Sequence, residues 1–442
     1  MGHIRKRLTS SQIIILGFAA VIFVGALLLM LPFSTLDGTG ATFLDALFTS
    51  TSAVCVTGLI VRDTATYWSS FGHAVILTLI QTGGMGVITV TIAVSVLSGR
   101  QISLKQRSTL QEAISAHKVG GIVRLTSFII RTTILLELLG ACMMAPAFIK
   151  ELGLGKGIWY ALFHSISAFC NAGFDLMGIK SPYSSLTYFV DHPIINISIL
   201  SLIVLGGIGF LTWDDIKTHR HMLRKYRMQS KVILVTTALL ILFPALYFFF
   251  FEFEEAPIRE RIWSSLFQAI TPRTAGFNTA DLTQISEVGT AITILLMLIG
   301  GSPGSTAGGM KTTTLAVMLS TAISVFRRRE HTHFFGRRIS ENTIRNAATI
   351  LMIYIILFLT GGFLISHLEH LPLLTCLYET TSAVGTVGLT LGITPTLGTA
   401  SRIILILLMY IGRVGGLTLI FSTVSGNLGN TAKLPLEKLT VG

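Results

Sequence analysis

The residues best placed to do chemistry are four glycines, Gly58, Gly173, Gly276 and Gly388, each closing a short apolar and aromatic segment. What they offer is coordination rather than acid–base catalysis. Glycine has no Cβ, so it reaches backbone angles that turn successive carbonyl oxygens toward one axis and lets loops pack around a narrow bore. Rings of such carbonyls from converging extended loops can replace the hydration shell of a monovalent cation. The candidate ring residues are Val54, Cys55, Val56, Thr57 and Gly58; Cys170, Asn171, Ala172 and Gly173; Arg273, Thr274, Ala275 and Gly276; and Gly385, Thr386, Val387 and Gly388.

The elements that must position them are a repeat. The segments 43–53, 159–170, 262–271 and 373–383 are each too short to cross a hydrocarbon core of about 30 Å. They are read as re-entrant, and irregular backbone at membrane depth is tolerated only when it is buried in protein or lines a watery cavity. Counting back from each glycine to an aromatic (Phe48, Phe163, Phe267, Tyr378) gives 10, 10, 9 and 10 residues, so the third copy departs by one. Thr51-Ser-Ala-Val-Cys-Val-Thr-Gly-Leu59 and Thr381-Ser-Ala-Val-Gly-Thr-Val-Gly-Leu389 agree at six of nine positions; Asn171-Ala-Gly-Phe174 resembles Thr274-Ala-Gly-Phe277. The short helix before each loop directs the negative end of its dipole inward, which favours a cation. Further glycines recur in each following span: Gly83, Gly84 and Gly86; Gly206, Gly207 and Gly209; Gly300 and Gly301; Gly412, Gly415 and Gly416. They suit close helix approach.

The 442 residues are 51% hydrophobic and 12% charged, with a mean hydropathy of +0.72, which excludes an ordinary soluble domain. The first span is placed at 13–31, longer than the apolar core of a signal peptide and without an A-x-A cleavage site. A net charge of +12 would point a soluble protein toward nucleic acid, but here its placement is the informative fact. Of 33 Lys and Arg, 22 fall in the leader (Arg5, Lys6, Arg7), in 100–124, 217–231 and 327–345, and in the tail (Lys433, Lys438). The positive-inside rule puts these segments and both termini in the cytoplasm. Cys55, Cys142, Cys170 and Cys376 have no metal-ligand spacing and read as small buried residues. The expected architecture is an all-α polytopic membrane protein of four helix, pore-loop, helix units around one pore, at 1–99, 100–220, 221–330 and 331–442.

One stretch is anomalous. A single helix over 292–326 would be about 52 Å long at 1.5 Å per residue, so it must break. The break is written in Gly300, Gly301, Ser302, Pro303, Gly304, Ser305, Thr306, Ala307, Gly308 and Gly309, which cannot hold a regular helix, followed by Met310 and Lys311. The gap from Gly304 to Gly309 mimics a phosphate loop, but Met310 precedes Lys311 and no strand leads in, so the motif fails. Ionisable residues within spans usually face a bundle interior or water. Arg413 sits mid-span with no adjacent acid, Lys311 is within reach of the interface, and Arg131 and Glu137 are expected to pair with other helices. Asp45, Asp175 and Glu379 lie near the pore mouths, where they either attract cations or satisfy helices. No H-E-x-x-H and no nucleophile–base pairing is present, so an enzyme is not expected.

On these loops and glycines the chain resembles the Trk/Ktr/HKT superfamily of potassium uptake proteins over essentially its whole length. The resemblance implies that the four glycines mark potassium selectivity; members favouring sodium often carry Ser at the first, where this chain keeps Gly58. Because the first unit starts near residue 11, with no extra helix pair before it, the likeness is to the Ktr branch. It further implies that loop 300–312 obstructs the pore as a gate, with Arg413 a positive barrier touching it. Potassium is then the substrate. The implied partners are a second copy of the chain and an octameric KtrA- or KtrC-type ring that holds the ATP or ADP, beside membrane lipids. Coupling to sodium or protons, or permeation by sodium, stays open on the residues alone.

Overall fold

A computed structural model describes residues 9–87, 89–91, 103–113 and 121–415. The basic leader, Arg100, Lys118, Gly416, Lys433 and Lys438 lie outside the described residues.

The described chain is helical throughout, apart from one two-stranded hairpin at His333–Phe334 and Arg337–Arg338. Among the described residues four helices are long and apolar enough to cross a membrane: Ser10–Leu29, Ile122–Leu152, Met228–Glu252 and Glu341–Glu369. They open the four units as outer helices. The first begins three residues earlier than the sequence suggests, because Thr9 and Gln12 form a reciprocal capping box that satisfies the first free N–H groups.

After each outer helix the chain re-enters as a pore helix, at Phe43–Cys55, Leu154–Phe169, Ile258–Ile270 and Leu373–Gly385. At 1.5 Å per residue these reach only about 20 to 24 Å. The inner helices follow at Ser70–Met85, Pro193–Gly207, Glu287–Leu298 and Thr399–Val414. Each inner helix packs against the pore helix of the next unit: first on second, second on third, third on fourth, and fourth back onto first. The four units therefore close into a ring.

The sequence predicts one broken inner helix, but all four stop short. Gly86, Gly209 and Gly415 end the first, second and fourth with nearly the same backbone, φ 86 to 91° and ψ 128 to 141°, a region that penalises any Cβ. In the second unit the chain continues at Phe210–His219, bent by 97° from the first half. In the third, 299–311 intervenes before the helix resumes at Thr312–Phe326. The glycines three residues before those breaks make the close approach. A Cβ on Gly83, Gly206 or Gly412 would strike the carbonyl oxygen of Val54, Phe169 or Val384, respectively, at the end of the pore helix of its own unit. With lipid as solvent, such backbone contact replaces hydrophobic burial as the source of cohesion.

Candidate functional site

The loops that leave the pore helices meet at the centre of this ring. In each, the residue two before the marked glycine is left-handed: Val56, Asn171, Thr274 and Thr386, with φ between 52 and 67°. Each glycine then takes φ between 69 and 94°. Four non-glycine residues held in a sparsely populated conformation at equivalent positions form a repeated constraint, of the kind that clusters at functional sites. The glycines themselves interlock. A Cβ on Gly58 would lie 2.5 Å from the carbonyl oxygen of Ala172, one on Gly173 2.8 Å from that of Ala275, and one on Gly276 2.5 Å from that of Val387. A Cβ on Gly388 would overlap the carbonyl oxygen of Thr57, closing the circle.

Pore-helix hydroxyls, which the sequence reading did not single out, fix these loops from behind. Ser52 Oγ accepts from the N–H of Gly58, and Ser382 Oγ from that of Gly388, each at 3.0 Å. In the other two units the hydroxyl donates instead: Ser167 to the carbonyl of Phe174 and Thr271 to that of Phe277. The pairing of first with fourth and second with third repeats the division seen in the sequence. The one-residue departure of the third copy is absorbed at the helix end. Thr57, Ala172 and Val387 donate N–H to the residue five back, whereas Ala275 donates to Thr271, four back, so the left-handed residue and the glycine keep register.

Cys55 and Gly385 are the last residues of their pore helices, and Cys170 caps the second. Arg273 sends its buried guanidinium to Thr237 Oγ1 at 3.2 Å. Val54 is the residue before Cys55, its carbonyl against Gly83.

Directly beneath, 299–311 is tied down on several sides. The N–H groups of Ser302 and Thr306 donate to Gly207 and Gly206, and the N–H of Phe210 donates to the carbonyl of Gly304 at 2.7 Å. Thr306 Oγ1 donates to Phe169 at 3.0 Å. Within the segment, Gly300 donates to Met310 and Thr312 to Gly301, Ser305 Oγ donates to Ser302, and Pro303 presents its carbonyl to Gly209. Gly308 and Gly309 lie against Thr386 and Gly385, and Ala307 packs on Gly301. Lys311 Nζ donates to the carbonyls of Ala307 and Gly308 at 2.9 and 3.1 Å. Arg413 donates to Thr306, Gly83 and Gly84, three carbonyls from two other units. It therefore clamps rather than snorkels.

The acids near the mouths are consumed structurally. Buried Asp45 holds Arg62 at 3.0 Å and Arg402 at 2.8 Å. Glu379 accepts from Thr390, Thr394 and the N–H of Leu391, and Asp175 from the N–H of Met177. Glu137 accepts from Gln81 of the first inner helix at 3.3 Å. Arg131 faces outward on the same helix, exposed, so the two do not share a site.

A family model described as TrkH, cation transport protein, matches residues 5–428. The chain belongs to the TrkH family of cation transport proteins. Among its relatives, the "Potassium/sodium uptake protein NtpJ" of Enterococcus hirae is 38% identical over 451 residues, covering 100% of this chain and 99% of that protein. The "Ktr system potassium uptake protein B" of Bacillus subtilis is also 38% identical, over 94% of this chain and 93% of that one. The crystal structure of the potassium transporter TrkH from Vibrio parahaemolyticus superposes with a TM-score of 0.75 at 18% identity, covering 96% of this chain and 87% of that one. The TrkH fold is thus shared where little of the sequence is, and the chain is a multi-pass membrane protein of cation uptake.

Proposed function

We propose that this protein is the pore subunit of a potassium uptake system, passing potassium down the membrane potential through a filter of backbone carbonyls. The observation that carries this reading is the interlocked circle of Gly58, Gly173, Gly276 and Gly388, each against the carbonyl that precedes the next unit's glycine. A bore held at this spacing by backbone contacts discriminates a cation by how well carbonyls replace its water. Loop 299–311 under that circle, held by Arg413 and Lys311, is the gate, and the pore conducts when those bonds release. No catalytic step is required of the chain. The basic connections face the cytoplasm of a bacterial cell. Opening is set by a soluble nucleotide-binding ring on which two copies sit; that the Ktr relatives are named as one protein of a system supports a separate partner subunit.

Rubidium uptake in a bacterium stripped of its own potassium uptake tests the filter. The native chain with its partner restores uptake, and Gly58→Ser admits sodium or loses the preference for potassium. Uptake indifferent to Gly58→Ser would remove the circle from the pathway. The name of the Enterococcus hirae relative favours a second reading, in which the native filter also passes sodium; sodium influx equal to rubidium influx in the unaltered chain would establish it.

A further inference from the structure

Away from the pore, the connection between the third and fourth units carries a concentration of unpaired positive charge. Helix Thr312–Phe326 ends in a Schellman turn: left-handed Arg328 donates its N–H to Val325, and Arg329 donates to Ser324. The following hairpin pairs His333 with Arg338 and Phe334 with Arg337, turning on Phe335 and Gly336, both at positive φ. Thr332 Oγ1 bonds back to Thr321 Oγ1 at 3.3 Å, so the hairpin is held against the helix. Arg327, Arg328, Arg329, Arg337 and Arg338 are all exposed. Among the described residues none of the five meets a carboxylate within ion-pair distance. Two instead meet imidazoles, Arg329 with His333 at 3.1 Å and Arg338 with His331 at 3.2 Å. Lys231 adds a sixth cation, 5.9 Å from the Phe335 ring centre.

The apolar residues around this cluster decide what kind of anion it fits. Phe326 is 85% exposed, Val325 68% and Phe335 55%, immediately beside the arginines and at the mouth of a membrane span that begins at Glu341. A soluble acidic ligand without apolar groups would leave these side chains in water. A phospholipid covers them with acyl chain while its phosphate meets the guanidinium forks, which match phosphate oxygens in pairs. We propose that the 327–338 hairpin is a headgroup site for anionic phospholipid, binding the phosphodiester through Arg337, Arg338 and the arginines of the preceding turn. A filled site would also anchor the far end of the helix that begins just after loop 299–311.

The test is retention of phosphatidylglycerol against phosphatidylcholine by the full chain in detergent, read by native mass spectrometry and lipid-dependent melting. The readout needs no transport, so it stands or falls apart from the pore assignment. The native chain should prefer phosphatidylglycerol, and Arg337→Gln with Arg338→Gln should weaken that preference roughly 30-fold, at about 1 kcal/mol per basic residue. Arg337→Lys with Arg338→Lys should keep most of it, and Lys156→Gln, exposed on a pore helix, should leave it untouched. Equal retention of the two lipids, or no loss in the glutamine pair with an unchanged melting point in phosphatidylcholine, would overturn the proposal. So would capture of an acidic peptide by the same arginines without any preference for phosphatidylglycerol.

Discussion

The guanidinium of Arg413, on the fourth inner helix, donates to the main-chain carbonyl of Thr306, in the loop that interrupts the third. The same side chain reaches Gly83 and Gly84 at the end of the first. Hydrogen bonds from a charged donor contribute about 1.5 to 3 kcal/mol each. If the proposed gate holds, Arg413→Ala should raise basal rubidium flux at least several-fold, with the ratio of rubidium to sodium flux unchanged because the glycine circle is untouched. Arg413→Lys should fall between. Flux that stays at the native level in the alanine variant would mean the loop is held by other bonds.

A second route to the same loop runs through Gly209. Its φ of 91° excludes a Cβ, and an added one would lie 2.7 Å from the carbonyl of Pro303. Left-handed strain costs about 1 to 2 kcal/mol, so Gly209→Ala should loosen the seat of 299–311. Basal flux should rise as with Arg413→Ala, and combining the two should give less than the product of the single effects, since both release one element.

Selectivity should respond to a hydroxyl outside the bore. Ser52→Ala leaves the buried N–H of Gly58 without its acceptor, a loss of about 1 to 3 kcal/mol. Rubidium uptake in competition with sodium should show the preference falling at least several-fold, and falling further with Ser382→Ala. Ser52→Thr, which keeps the hydroxyl, should restore it.

Stability should track the link between the first and fourth units. Asp45 is buried, Arg402 is nearly so, and Arg62 is half-exposed. Removing one member of a buried pair costs up to about 3 to 5 kcal/mol. Thermal melting in detergent should therefore drop clearly for Asp45→Asn and only slightly for Arg62→Gln. Equal drops would place the stabilisation on the exposed arm.

Much of this architecture was legible because lipid removes alternatives. Apolar runs of limited length leave only spanning or re-entrant helices, so the four pore helices could be placed within a few residues. The glycines were legible as a repeat, but their purpose divides by distance: Gly83 sits against a carbonyl of its own unit, and Gly58 against one of the next. No local pattern carries that difference. The breaks at Gly86, Gly209 and Gly415 were missed because each span reads as continuous hydrophobicity, and hydropathy is blind to a φ of 90°. Ser52 and Thr271 looked like ordinary pore-helix polar residues, since a hydroxyl advertises neither whether it donates or accepts nor to whom. The acids near the mouths were left open between attracting ions and satisfying structure. For Asp45 the answer lay in Arg402, too distant in sequence for spacing to reveal.

That distance has a consequence for how the protein is made. Asp45 waits for a partner that leaves the ribosome 357 residues later, and the first pore helix, packed on the inner helix of its own unit, meets that of the fourth only when the last unit arrives. A chain cut short in its last unit would insert three-quarters of a ring, with one side open to lipid and a buried carboxylate short of one arginine. Such a product would present quality-control proteases with an acid held by Arg62 alone and an uncovered helix face.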